Sequence, residues 1–294
     1  MLSLTMTMKI LLGGIFLLQQ LQQVLAMNEE ERHIYVQAHE EQLLATMVKH
    51  IGHPSSIVRD QMNYRLFVEL LSANHWSVER LRPLAMQLID EEHLFLHIQD
   101  RKEGEAVFTR SFSALWLTAL LHADAQLRFL QAEQLTFIFQ EVARYFMRER
   151  DVRGYIDEEQ GWAHSMAHVA DLCVASIRHP QFEVRYAPMI LQGLKDAFWK
   201  GSVYIDDEEE RFVKIIEALM AIDFPEEILI EWVEQVFDKL EVYVYEVGYT
   251  KEWFKARSNT LHFMKTMYFA VKFANKYEQL RAITSIFIQK WMKL

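Results

Sequence analysis

The sequence predicts an all-α chain. The favoured architecture is an α-solenoid of paired antiparallel helices of the HEAT or armadillo kind, a single elongated or curved domain. Three observations predict it. Apolar residues recur at helical intervals nearly everywhere: Leu135, Ile138, Phe139, Val142 and Phe146 share one face, and Val213, Ile216, Leu219 and Met220 another. Only 9 glycines and 5 prolines occur in 294 residues, which favours long helices over a turn-rich sheet. The second helix of each pair is expected near Ile57, Ala106, Gly161, Asp207 and Lys251, a recurrence of roughly fifty residues close to that of HEAT repeats. A lone pair cannot bury both faces, so neighbours must stack. No residue-by-residue repeat accompanies this spacing, and an α/α toroid or irregular bundle is the alternative.

Residues 1–26 read as an N-terminal hydrophobic extension or first helix, and residues 27–294 as the helical-repeat domain. The apolar run Ile10 to Leu18 follows Lys9 and is broken by Gly13 and Gly14, which loosely suggests a signal peptide cut near Ala26. The run is too short to span a bilayer, and Gln19, Gln20, Gln22 and Gln23 make a poor cleavage region. An extension, a misplaced start, a signal and a docked helix all remain open.

Breakers then mark the helix ends in order. Gly52 to Ser56 is a loop, Ser77 a possible N-cap, and Arg101 to Gly104 a polar loop. Asp151 to Gln160 is the longest polar connection, and Asp157 with Gln160 can form a capping box for a helix from Gly161. His179-Pro180, Gly201-Ser202, Asp223 to Pro225 and Gly248 to Thr250 mark later boundaries, with Pro225 suited to a first helical turn. Val242 to Val247 (VYVYEV) alternates like a strand but ends a long helical pattern, and it reads as helix.

Composition excludes some functions. A net charge of −10 without any long basic run argues against nucleic-acid binding. The single cysteine, Cys173, forbids an intrachain disulfide, fits a cytoplasmic setting, and reads as a small core residue. P-loop, G-x-S-x-G, G-x-G-x-x-G and Cys-x-x-Cys motifs are absent. The acidic clusters Asp90 to His93 and Asp206 to Glu210 read as solvated surfaces or helix N-termini, with cation binding the minor alternative.

The most pointed segment is Gly161 to Asp171 (GWAHSMAHVAD). On a helix, Gly161, His164, His168, Asp171 and Ala175 share one stripe, opposite Trp162, Met166, Val169, Ala170, Cys173 and Ile177. His164, His168 and Asp171 could then hold a divalent metal, while the lack of a His-Glu-x-x-His removes the usual metalloprotease base. Solvent-facing polarity is the first reading of the stripe, a recognition surface the second, and a metal or acid–base site the third. In a solenoid the second helices line one wall. The candidate groove therefore comprises Arg59, Asp60, Tyr64, Arg110, Ser111, Asp151, Arg153, Tyr155, Trp162, His164, His168, Asp171 and Arg211. Arg153 either folds over the helix start or pairs with Asp151 or Asp157.

Several segments carry a resemblance together: Ile51-Gly52 followed by Arg59-Asp60 and Tyr64; Asp90 to Phe95 (DEEHLF); Val107 to Ser113 (VFTRSFS); Asp151 to Tyr155; and Gly161 to Asp171. In order and spacing they resemble the bacterial family called domain of unknown function 2785, over roughly residues 40 to 215. The resemblance implies a cytoplasmic bacterial protein without an assigned activity. Val169 departs from the family pattern, which has a glycine after the second histidine, as do Glu159 and Gln160.

Two functions are therefore expected. One is a non-catalytic binding or scaffold module whose polar groove takes a protein segment or small anionic ligand, without nucleic acid, stable membrane insertion or an obligatory cofactor. The other is a metal-assisted hydrolase or related enzyme centred on His164, His168 and Asp171.

Overall fold

The computed structural model describes residues 18–100 and 104–292, and every regular element among them is helical. The hydrophobic run ending at Leu18 and the polar loop at 101–103 fall almost wholly outside the described residues. The chain divides into two compact units: Met1–His97 with Glu103–Leu130 and Ile156–Ala163, and Ile98–Lys102 with Gln131–Tyr155 and His164–Leu294.

In the first unit, residues 18–26 form α1 and Glu29–Lys49 form α2. Asn28 and Glu31 close a reciprocal capping box at the start of α2, satisfying two otherwise orphaned amides. After the predicted loop at Gly52, residues Ile57–Tyr64 form a π-helix that runs directly into α3 (Arg65–Ser72). α4 (Val78–Leu88) starts after Ser77, whose amide and hydroxyl both donate to Glu40. α5 (Ala106–Leu127) packs on α3 and α4. It is buried along most of its length, and Trp116 stacks on Phe67 at 3.8 Å between ring centroids.

The second unit holds α6 (Ala132–Arg148), α7 (Ser165–Arg178), α8 (Ala187–Ala197), α9 (Glu208–Ala221), α10 (Glu226–Val247), α11 (Lys251–Ala274) and α12 (Glu278–Met292). α7, α9 and α11 pack in succession, α6 packs on α7 and α8, and α12 packs on α10 and α11. Phe146, Phe198, Phe212, Trp232 and Phe263 are buried among them. Cys173 is buried within this core, where desolvation pushes its thiol pKa far up, as expected of an inert thiol.

Most boundaries fall within a residue of expectation, including Ile57, Ala106, Asp207 and Lys251. The alternating Val242 to Val247 is helical, because an i, i+3, i+4 face buries Trp232, Val233, Val236, Phe237 and Leu240 just before it. One boundary is wrong. No helix begins at Gly161; α7 begins at Ser165, and Gly161 and His164 both have positive φ, at 64° and 48°. Asp157 caps only a local turn, its Oδ1 accepting from the amides of Glu159 and Gln160.

Candidate functional site

Several residues expected to line a groove are interior to the first unit. Arg59 is fully buried on the π-helix, as is Asn63 four residues on. Its guanidinium donates to the carbonyls of His53, Pro54, Gln160 and Trp162, at 2.6–3.2 Å, and its Nε lies 2.8 Å from Asp60. It also sits over Phe108 and Phe112, 4.1 and 4.8 Å from the ring centroids. Burial pushes the Asp60 carboxyl up to about 6 in spite of Arg59. Tyr64 meets Phe112 edge-on. Arg110 is buried and donates to Leu96 O, and the buried Ser111 hydroxyl donates to Ala163 O. Arg59, Arg110 and Ser111 are therefore interior clamps, not walls of an open groove. Their polar groups hold the backbone of 156–163 and of the turn at Leu96. Trp162, expected on the buried face of a helix, is instead in the loop and 39% exposed.

A second group of sequence-named residues gathers in the second unit, where α7 and α9 begin. His164 occupies the N-cap of α7 in a left-handed conformation. Its amide donates to Arg153 O at 3.0 Å, and its carbonyl accepts from His168 at 2.9 Å. The two imidazoles stand edge to face, 6.1 Å apart. Arg153 pairs with Asp151 at 2.6 Å, the local pairing that the sequence allowed. The Ser165 hydroxyl donates to Asp151 O, which ties this loop to the first turn of α7. Both oxygens of Asp171 accept from Arg211, at 2.9 and 3.0 Å. Tyr155 is exposed, and its amide donates to Asp206 Oδ2.

Asp206 and Glu208 are the residues that sequence reasoning missed as site members. A ring nitrogen of His164 and one carboxylate oxygen from each of Asp206 and Glu208 lie within 4.8 Å of one another. His168 and Asp171 do not join that set. The Asp206 carboxylate approaches so closely that a Cβ on Gly154 would meet Oδ2 at 1.9 Å, and a larger residue there would have to turn that carboxylate aside. Glu208 is 2% exposed and accepts from the Asp206 amide. Burial raises the Glu208 carboxyl pKa. Burial also lowers the His164 imidazole pKa, against the attraction of Asp206, and so favours the neutral ring. A neutral imidazole beside two carboxylates is a donor set suited to a divalent transition metal. The available signal was the acidic run from Asp206 to Glu210, which read as an ordinary dipole-favoured helix start.

A cavity of about 380 Å³ lies elsewhere in the second unit, lined by Glu241, Val244, Tyr245, Tyr249, Trp253, Lys290 and Trp291. Trp253 is anchored by its indole N–H to Leu240 O, whereas Tyr245 and Tyr249 are 83% and 67% exposed. Lys290 and Glu241 pair at the cavity at 3.1 Å. None of these residues was singled out in the sequence, where VYVYEV posed only a question of secondary structure.

No helix among the described residues is long and apolar enough to cross a membrane. The family model described as "Protein of unknown function (DUF2785)" matches residues 94–269. The match confirms the suspected family and shifts its span toward the C-terminus, leaving the Ile51 to Tyr64 segment outside. No curated protein and no solved structure matches the chain.

Proposed function

We propose that this chain, which belongs to the DUF2785 family of proteins of unknown function, is a non-catalytic binding module of stacked, HEAT-like helix pairs that takes a protein segment. The succession α7, α9, α11 within the second unit supports the stacking, because equivalent helices of adjoining repeats pack in rows. The observation that carries the binding role is the aromatic cleft around Tyr245, Tyr249, Trp253 and Trp291. Two tyrosines this exposed beside two buried tryptophans give a rigid, half-apolar surface of the type that dominates binding energy at interfaces. The Lys290–Glu241 pair at its edge supplies charges of both signs for orienting a segment.

A random peptide library selected on the full chain tests the proposal. Peptides should bind the parent protein and lose binding to a Tyr245→Ser, Tyr249→Ser variant whose melting temperature is unchanged. Selected peptides that bind both proteins equally would sink the cleft as the site.

A metal-assisted hydrolase is the second reading, favoured by one specific observation, the approach of His164, Asp206 and Glu208. His168 and Asp171, the other two metal ligands first expected, are not in that set, and Asp171 pairs with Arg211.

A further inference from the structure

We propose that His164, Asp206 and Glu208 bind one divalent transition-metal ion, of the class of Zn²⁺ or Mn²⁺. The proposal rests on the location named in the hydrolase reading but not on any catalysis. Three donors of suitable type converge from two elements separated in sequence, with ligand atoms within 4.8 Å of one another. Coordination draws such atoms to roughly 3–4 Å apart, since each metal–ligand bond is about 2.1 Å. One imidazole with two carboxylates matches Zn²⁺ or Mn²⁺ better than Ca²⁺ or Mg²⁺, which take oxygen ligands alone.

The local chemistry leaves room for the ion. Asp206 uses Oδ2 to accept from the Tyr155 amide, and Glu208 uses Oε2 to accept from the Asp206 amide. A carboxylate offers about four lone-pair sites, so each retains capacity for a metal. The starts of α7 and α9 stabilise the carboxylates but oppose a cation. The two negative charges, one of them 2% exposed, outweigh those partial charges. The position of His164 at a left-handed N-cap is fixed by backbone bonds on both sides, to Arg153 and His168, so the imidazole is delivered without freedom of the main chain. That is the rigid support a metal ligand requires.

The experiment uses the full chain freed of metal by chelation. Zn²⁺ binding is followed by calorimetry and elemental analysis, and Mn²⁺ binding by electron paramagnetic resonance. One ion per chain is expected. His164→Asn, which tolerates the left-handed backbone, and Glu208→Gln should each weaken binding by more than about tenfold, the least that losing even an outer-shell partner costs. An exposed histidine pair supplies the control, because His33 Nδ1 and His75 Nδ1 lie 3.2 Å apart and could capture zinc on their own. A His33→Ala, His75→Ala variant should bind as the parent does. Binding that vanishes in this control while surviving His164→Asn overturns the proposal, as does the absence of saturable one-to-one binding. Should His164→Asn fail to fold, Glu208→Gln and a zinc-dependent shift of the His164 ring resonances in the parent decide the question. Stoichiometric metal without hydrolysis of generic phosphate or carboxylic esters refutes the hydrolase reading and leaves the site intact.

Discussion

Arg59→Met is the sharpest test of the interior clamp. Methionine keeps an unbranched stem against Phe108 and Phe112 but removes every donor. Four carbonyls, of His53, Pro54, Gln160 and Trp162, then lose a charged partner, and Asp60 loses its counter-charge. Removing one member of a buried ion pair costs about 3–5 kcal/mol. About 4 kcal/mol corresponds to roughly a thousandfold in the folding equilibrium, a large part of ordinary stability. The cost should depend on pH in a fixed direction. Asp60 titrates at about 6 in the folded protein against 3.8 ordinarily, so between these values the folded state holds the extra proton. Stability from this group therefore rises as pH falls through that window. Without Arg59 the folded value climbs further, so the ionised carboxylate is penalised near pH 8 and relieved near pH 5. Urea unfolding at both pH values is the assay, with Arg65→Met, at a side chain 64% exposed, as the comparison expected within about 0.5 kcal/mol of the parent. A cost for Arg59→Met below about 1 kcal/mol near pH 8, or one equal at both pH values, would refute the clamp.

Three further outcomes are expected. Gly52→Ala should destabilise by about 1–3 kcal/mol in thermal melts, because its Cβ would lie 2.5 and 2.7 Å from the backbone N and Cα of Thr109, so trimming Thr109 to alanine will not restore stability. Lys200, buried and donating to the carbonyls of Phe146 and Met147, titrates at about 8 instead of 10.5; the unfolded chain holds the extra proton between those values, so stability relative to Lys200→Met should rise as pH increases from about 8 to 10 in urea titrations. Arg211→Gln removes an ion pair whose arginine is 53% exposed, and should change stability by less than about 1 kcal/mol; a larger loss would show that the Asp171 contact anchors α7 to α9.

The helices were legible because their signals are local. Burying Leu135, Ile138, Phe139, Val142 and Phe146 along one face needs only the 3.6-residue period, and Thr250, which caps α11, announces itself by type. The π-helix was not legible, since nothing in Ile57 to Tyr64 distinguishes wider turns from α turns. Gly161 misled for a related reason: its residues keep a helical apolar pattern, yet Arg59 takes the carbonyls of Gln160 and Trp162, and the backbone stays out of the helix until Ser165. His164 was found because histidine is chemically conspicuous. Asp206 and Glu208 were not grouped with it, because forty residues of intervening chain hide which acidic run returns to the same place.

The segment Ile156–Ala163 belongs to the first unit although its neighbours on both sides belong to the second. During synthesis, the carbonyl partners of Arg59 at Gln160 and Trp162 emerge from the ribosome about a hundred residues after Arg59 itself, a lag visible in the separations of those bonds. Until they arrive, the arginine has only its near partners, Asp60 and the carbonyls of His53 and Pro54, and nothing to clamp at the far end. No single cut in the gene yields both units whole: a truncation before residue 156 leaves the first without its last strap, and one after residue 163 carries off the loop at 151–155 that leads into α7. Fragments of this chain are consequently poor surrogates for it. A variant joining residue 155 directly to 164, with 156–163 supplied as a separate peptide, would ask whether the strap is a part of the fold or its final fastening.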